Sequence, residues 1–195
     1  MIRLIVGLGN SGTKYEQTRH NAGFVFLRAA ARRLSVELKA HSKFHGAVGN
    51  TRWQARKLWL LEPDTFMNLS GVAVAALANY YRIEASEVLV IHDELDLPPG
   101  TARLKKGGGA GGHNGVASVI DHLGARDFLR LRIGVGHPGS ADQVVAYVLS
   151  KAPLDEFQAT ADATQRALDV LPDLLDGDVQ RAMQRLHTGL ADSVH

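Results

Sequence analysis

The feature that most constrains this chain is the run Gly107-Gly108-Gly109-Ala110-Gly111-Gly112. Glycine loses more backbone entropy on folding than any other residue. A stable fold therefore keeps nearly consecutive glycines only where backbone must come close to something. The surroundings narrow what that is. Val88–Ile91 is a β-branched and aliphatic stretch suited to a buried strand, and it ends in His92-Asp93-Glu94. Polar residues at the carboxyl end of a strand stand where open α/β sheets bind ligands. Pro98-Pro99-Gly100 makes a turn, and Arg103, Lys105 and Lys106 precede the glycines. His113-Asn114 opens an amphipathic segment predicted to run as a helix to His122 and stop at Gly124. A helix amino terminus offers unpaired N–H groups and a partial positive charge, enough to hold an anion or a developing oxyanion. The alternative is a flexible loop; the flanking lysines and His113-Asn114 weigh against it. A P-loop is excluded, because no Gly-Lys-Ser/Thr follows.

The remaining segments predict an α/β fold. Ile2–Leu8 reads as a strand buried on both faces and leads into Gly7-Leu8-Gly9-Asn10-Ser11-Gly12, a G-x-G-x-x-G by letter. A dinucleotide site needs a helix opening directly from those glycines. Here residues 13–18 intervene, and apolar helical spacing begins only at Phe24, Leu27, Ala31 and Leu34. No strand ending in an acid follows at the spacing a ribose site requires, so the match is read as a tight strand-to-loop turn. Phe44–Gly49 and Arg52–Leu61 read as two strands joined by a hairpin at Asn50-Thr51. Thr65–Gly71 opens a helix to about Tyr81, with Asn68 as a possible N-cap and Phe66 and Met67 apolar enough to be core. Phe128–Gly136 is a strand carrying Arg130 and Arg132, and Asp142–Leu149 is a short helix. Two helical segments over about 154–190, broken near Pro172 and Gly177, close the chain. The sum is a single domain over 1–195, with a central mixed β-sheet flanked by helices.

Composition bounds the function classes. With 195 residues the chain can bury one core, and with no cysteine it has no disulfide, thiolate nucleophile or cysteine zinc site. It has no apolar run near the ~20 residues a bilayer span needs, and its amino terminus, MIRLIVGLGN, is too short and glycine-broken for a signal peptide. A cytoplasmic location away from membranes is expected. The net charge of +2 conceals an asymmetry: residues 1–150 hold 18 Lys/Arg against 12 Asp/Glu, whereas residues 151–195 hold 4 against 8. No acid lies between Leu97 and Ile120. A polyanionic partner such as nucleic acid fits this distribution, although scattered surface lysines fit the count equally well.

Three strand ends supply candidate chemistry. His20 can act as a general base near neutral pH, and Asp93 can accept its other ring N–H. A lone histidine before a helix is, however, more often a cap or a packing residue. Asn10, Asn68 and Asn114 offer amides that bind a peptide-like group or steady an oxyanion without adding charge. No G-x-S-x-G is present, so in a hydrolase the attacking group is water.

Four blocks, GLGNSGTKYEQTRHNAG, TFMNLSG, HDELDLPPG and KGGGAGGHNG, in this order and spacing resemble the bacterial peptidyl-tRNA hydrolase family, from Ile2 to about Leu149. The resemblance implies a single α/β domain that hydrolyses the ester between a peptide and the 3′-terminal ribose of tRNA, without metal or cofactor. It implies His20 as the base that activates water, Asp93 as its orienting partner, and Asn10 as the group that distinguishes N-blocked from free aminoacyl-tRNA. It places Tyr15, Phe66, Asn68 and Asn114 around the tRNA end and peptide, with Met67 and His113 as neighbours. Arg103, Lys105 and Arg132 match basic positions that clamp tRNA phosphate in the acceptor stem. A monomer with peptidyl-tRNA as its partner is expected. Three positions depart from the family pattern: Asp64 for a frequent glutamine, Ala110 for a histidine of some members, and Arg103 for a frequent lysine. Two other readings compete. One is a noncatalytic RNA-binding protein on the same fold. The other is a metallohydrolase built from His20, His92, Asp93 or His113, although these lack His-Glu-x-x-His spacing.

Overall fold

In the computed structural model, which describes residues 1–188, seven strands form one sheet. They are β1 (Leu4–Gly7), β2 (Lys39–His41), β3 (Gly46–Trp53), β4 (Arg56–Pro63), β5 (Val88–Glu94), β6 (Ala102–Lys106) and β7 (Leu129–Gly134). Their order is β2-β3-β4-β1-β5-β7-β6. The central pairs β4–β1, β1–β5 and β5–β7 are parallel, and the outer pairs β2–β3, β3–β4 and β6–β7 are antiparallel. The helices are α1 (Ala22–Arg33), α2 (Ser70–Tyr81), α3 (Asn114–Leu123), α4 (Val144–Val148), α5 (Leu154–Asp169), α6 (Leu171–Asp176) and α7 (Val179–Thr188). This is the mixed, helix-flanked α/β sheet expected.

Continuous aliphatic runs in β1 and β5 follow from burial on both faces. Ile5, Leu89, Ile91 and Leu131 meet Phe26 and Leu27 of α1, Leu168 of α5 and Leu174 of α6. Leu4, Val6, Val88 and Val90 instead meet Val74 and Leu77 of α2 and Val116 and Val119 of α3. Each such side chain, fully buried, contributes roughly 1.5–3 kcal/mol. The two layers leave the carboxyl ends of β1, β4 and β5 opening to one side of the sheet.

The letter match to a dinucleotide motif has a packing cause. A Cβ on Gly7 would sit 2.3 Å from the Gly23 carbonyl oxygen, and one on Gly23 would sit 2.4 Å from the carbonyl oxygens of both Leu8 and Ile91. The first turn of α1 thus lies backbone to backbone against β1 and β5. The 3-10 turn Arg19–Asn21, immediately before α1, is carried to the carboxyl end of the sheet.

Two local expectations are corrected, and two strands are added. The hairpin turns at Gln54-Ala55 and not at Asn50-Thr51, which pair with Trp59 and Leu58 inside the ladder. Gln54 adopts φ 54°, and the turn is held from outside: Trp53 Nε1 and Gln54 Nε2 both donate to Asp176, at 2.7 and 2.8 Å. The strands β2 and β6 were not anticipated. The tail forms three helices rather than two, because Pro172 lies in the first turn of α6 and starts it, while Gly177 at φ 91° ends it. Residues 189–195, including the end of the helical tail expected to about 190 and of the domain expected to 195, lie outside the described residues. Finally, α7 covers the β6 edge: the Leu104 N–H donates to His187 Nε2 at 3.0 Å, and Arg103 donates to the His187 carbonyl at 3.2 Å.

Candidate active site

Strand β5 delivers Asp93 to the carboxyl end of the sheet with only 3% of its surface exposed. Its carboxylate receives two histidines. His20 Nδ1 lies 2.8 and 2.9 Å from the two oxygens, and His113 Nε2 lies 2.8 Å from Oδ1. His113 is the N-cap of α3, and its Nδ1 accepts the backbone N–H groups of Gly115 and Val116 at 3.1 and 3.3 Å. An imidazole nitrogen that accepts carries no proton, so the His113 proton sits on Nε2 and is donated to Asp93. His20 likewise donates from Nδ1, which leaves Nε2 as the unprotonated nitrogen, without a protein partner among the described residues.

The electrostatics keep Asp93 ionised and His92 neutral. Burial alone would raise the Asp93 carboxyl, but the charges of and hydrogen bonds from His113 and His20 outweigh burial and hold it below the usual carboxylate range. Asp93 is therefore an ionised acceptor. Burial first, and neighbouring His113 second, push His92 down to about 3, so it stays neutral. His92 Nδ1 donates to the Asp93 carbonyl at 2.7 Å, and its buried Nε2 has no partner among the described residues. The His113 ring lies between the other two, 4.8 Å from His92 and 5.0 Å from His20 by centroid.

The asparagines are set in different ways. Asn10 Oδ1 accepts the Met67 N–H at 2.8 Å. Its backbone N–H donates to Asn21 Oδ1 at 2.8 Å, and its carbonyl accepts from Asn21 Nδ2 at 3.0 Å. With its oxygen occupied, Asn10 has its Nδ2 donor left for a ligand. Asn68 and Asn114 are exposed and line the same cleft. Asn68 is not an N-cap; Leu69 takes that position in α2 without a side-chain bond. Of the two apolar neighbours, Met67 is core but Phe66 is 69% exposed on the cleft rim.

The cleft has a volume of about 600 Å³ and brings together Asn10, Tyr15, His20, Phe66, Met67, Asn68, Asp93, His113 and Asn114. Its far wall is Val144, Val145 and Val148 of α4, with Leu149. A second, apolar cavity of about 70 Å³ behind the His20 turn, lined by Val25, Arg19 and Phe157, holds none of these site residues. Arg103, Lys105 and Arg132 stand outside the cleft. In the β6–β7 register Arg103 opposes Arg132 and Lys105 opposes Arg130, so the four cations share one face of that ribbon. Arg132 approaches the cleft through Glu94, 3.6 Å away.

His20, Asp93 and His113 also bring three possible ligand atoms within 4.8 Å of one another. Their hydrogen bonding does not suit a cation. A metal on His113 Nε2 would drive the proton to Nδ1, where it would face the two N–H groups of Gly115 and Val116. The donor set suits a histidine–carboxylate relay.

Three contacts escaped the sequence reading. Asn21, 2% exposed, clamps Asn10. His113 bonds Asp93 directly rather than standing beside the site. Its cap also takes up the Gly115 and Val116 N–H groups that the sequence suggested for an anion. Arg130 reaches back under the glycine run. Nothing in local sequence marks the first two contacts, which join residues 11 and 20 positions apart with no periodicity between them.

Comparison with known proteins places the chain among relatives. A family model described as peptidyl-tRNA hydrolase matches residues 4–193. A protein named peptidyl-tRNA hydrolase from Azotobacter vinelandii is 53% identical over 188 residues, spanning 96% of this chain and 97% of its own. Another of that name from Methylobacillus flagellatus is 52% identical over 187 residues, spanning 96% and 97%. The crystal structure of peptidyl-tRNA hydrolase from Acinetobacter baumannii superposes with a TM-score of 0.92 at 45% identity, covering 95% of this chain and 94% of that one.

Proposed function

The chain belongs to the peptidyl-tRNA hydrolase family and is a hydrolase, and from that premise we propose that it cleaves the ester between a peptide, or an N-blocked aminoacyl group, and the 3′-terminal ribose of tRNA, with His20 as the base. The observation that carries this reading is the pairing of His20 Nδ1 with the buried, ionised Asp93, which leaves Nε2 for the cleft. Water held at Nε2 gives up a proton as its oxygen attacks the ester carbonyl. The carbonyl oxygen becomes an oxyanion within reach of the amides of Asn10, Asn68 and Asn114. Asp93 stabilises the imidazolium that forms. When the carbon–oxygen bond to ribose breaks, the proton passes from His20 to the departing ribose oxygen. The products are free tRNA and a peptide carboxylate.

Substrate recognition follows from the same positions. Asn10 Nδ2 is a donor that a blocked amino terminus, with its extra carbonyl, can satisfy. Exposed Phe66 and Val145 on the cleft rim suit apolar parts of the peptide. Arg103, Lys105 and Arg132 take acceptor-stem phosphates, which carry affinity rather than sequence preference. The relay needs neither metal nor cofactor. No helix among the described residues is long and apolar enough to cross a membrane, and a monomer working in the cytoplasm, where tRNA is charged, is the proposed setting.

The test is release of N-acetyl-aminoacyl groups from tRNA by wild type and His20→Ala, each with and without EDTA. We expect fast release by wild type, unaffected by chelation, and none above background in the variant, with tRNA binding kept. Equal rates in the two proteins would refute the base. Inhibition by EDTA would favour a metal, and tRNA binding without release by wild type would favour the noncatalytic reading.

A further inference from the structure

The glycine run is held by its carbonyls. Arg130 of β7, only 2% exposed, donates from Nη1 to the Gly109 carbonyl and from Nη2 to the Gly107 carbonyl, both at 2.7 Å, and from Nη2 also to the Gly108 carbonyl. Three successive carbonyls thus turn inward onto one guanidinium. That path needs left-handed backbone: φ is 70° at Gly107 and 92° at Gly108. Backbone bonds tie only its two ends, the Gly107 N–H donating to the Phe128 carbonyl and the His113 N–H to the Ala110 carbonyl, both at 3.1 Å. Ala110 alone in the run packs against the core, and a Cβ on Gly109, Gly111 or Gly112 would touch nothing within 4 Å.

The cation that does this is in an expensive position. Among the described residues no carboxylate lies within 4.0 Å of it, and its buried Nε has no partner. A buried charge without an ion-pair partner destabilises a fold unless other dipoles satisfy it. Here the dipoles are the glycine carbonyls themselves. Beyond them the chain passes Gly111 and Gly112 on the cleft wall and reaches His113, on Asp93, and Asn114, in the cleft. A lysine could not replace the arrangement, because three acceptors in one arc match a planar fork and not a point charge.

We propose that Arg130 is a positioning residue for the active site, its guanidinium gathering the Gly107, Gly108 and Gly109 carbonyls so that His113 and Asn114 enter the cleft in the correct place. This rests on the assignment of His113 and Asn114 to the substrate site made above. Arg130 touches no substrate; it acts through the loop.

The experiment compares wild type, Arg130→Ala and Arg130→Lys in N-acetyl-aminoacyl-tRNA hydrolysis, with guanidinium ion added well below denaturing concentration and ammonium as the ionic control. Arg130→Ala should lose kcat on the order of 100-fold, the scale of a misplaced catalytic group, with a smaller change in KM. Guanidinium should restore part of that kcat, whereas ammonium should not. A variant with wild-type kcat overturns the proposal. So does a loss that guanidinium deepens, since a merely destabilised fold gets worse in that ion. Should Arg130→Ala not fold, amide exchange over Gly108–Asn114 in Arg130→Lys decides: faster exchange there than in wild type supports the proposal, and unchanged exchange overturns it. That readout needs no turnover. A wild type that releases nothing would therefore sink the hydrolytic reading without touching the loop.

Discussion

Replacing Asp93 by asparagine alters almost no volume and tests the relay directly. The outcome is decided by His113. Its Nδ1 is committed to the N–H groups of Gly115 and Val116, so its Nε2 must remain a donor to whatever occupies the Asp93 Oδ1 position. In Asp93→Asn the amide oxygen is drawn to that position and the NH₂ falls where Oδ2 was, 2.9 Å from His20 Nδ1. Two donors would then face each other, and the amide oxygen, which also lies 2.8 Å from His20 Nδ1, would have to accept from both histidines at once. His20 relieves the conflict by carrying its proton on Nε2, and a nitrogen that already holds a proton cannot accept one from water. An Asp-to-Asn change that enforces the wrong tautomer in a Ser-His-Asp triad costs about 10⁴ in kcat, or about 5 kcal/mol in barrier height. The same magnitude is expected here, with KM little changed, because Asp93 is buried beneath His20. Single-turnover release from N-acetyl-aminoacyl-tRNA gives the rate, and nitrogen NMR of His20 gives the tautomer. A kcat within about tenfold of wild type, or lost activity with the proton still on Nδ1, would refute the reasoning.

Two further outcomes are expected. His92 is held neutral down to about pH 3 in the fold, but takes a proton at its ordinary value of 6.5 once unfolded. The unfolded chain therefore binds more protons below pH 6.5, and stability falls with falling pH by up to about 1.4 kcal/mol per unit from this group. Denaturant titrations across the upper part of that window, above the range where Asp93 begins to contribute, should show a shallower fall in His92→Gln than in wild type; equal slopes would contradict this. The double variant Arg103→Ala/Lys105→Ala should raise KM with little change in kcat and flatten the dependence of tRNA affinity on salt by about one to two units of log–log slope. An unchanged slope would remove these residues from the phosphate contact.

The sequence is legible where a function rests on local pattern. Val88–Ile91 could only be a buried strand, so Asp93 had to stand at its end, and the segment from His113 to Gly124 forms the helix its spacing predicts. Tertiary contacts overrode local preference elsewhere. Asn50-Thr51 is better turn chemistry than Gln54-Ala55, yet Asp176 of α6 holds the turn at the poorer pair. Strand β6 hid behind its exposed, basic Lys105 and Lys106, because an edge strand under α7 need not be apolar along its length. Phe66 looked like core by residue type, and only the cleft shows why an aromatic stays exposed there. The Asp93–His113 bond spans 20 residues, and the Asn10–Met67 bond 57. No periodicity announces such pairs.

The contact between Gly7 and Gly23 bears on how this protein can be engineered. Replacing a helical glycine by alanine is an ordinary route to thermostability, since it restricts the unfolded chain. At Gly23 a methyl group would meet the backbone of Leu8, directly after β1, and of Ile91 on β5, and neither strand can move aside within a sheet paired on both edges. The helix would have to lift, and only two residues separate Gly23 from His20. Lifting α1 would draw the imidazole away from Asp93. A consensus or library design that scores this glycine for folding alone would trade turnover for nothing, so α1 is better stabilised toward its carboxyl end, beyond Leu27.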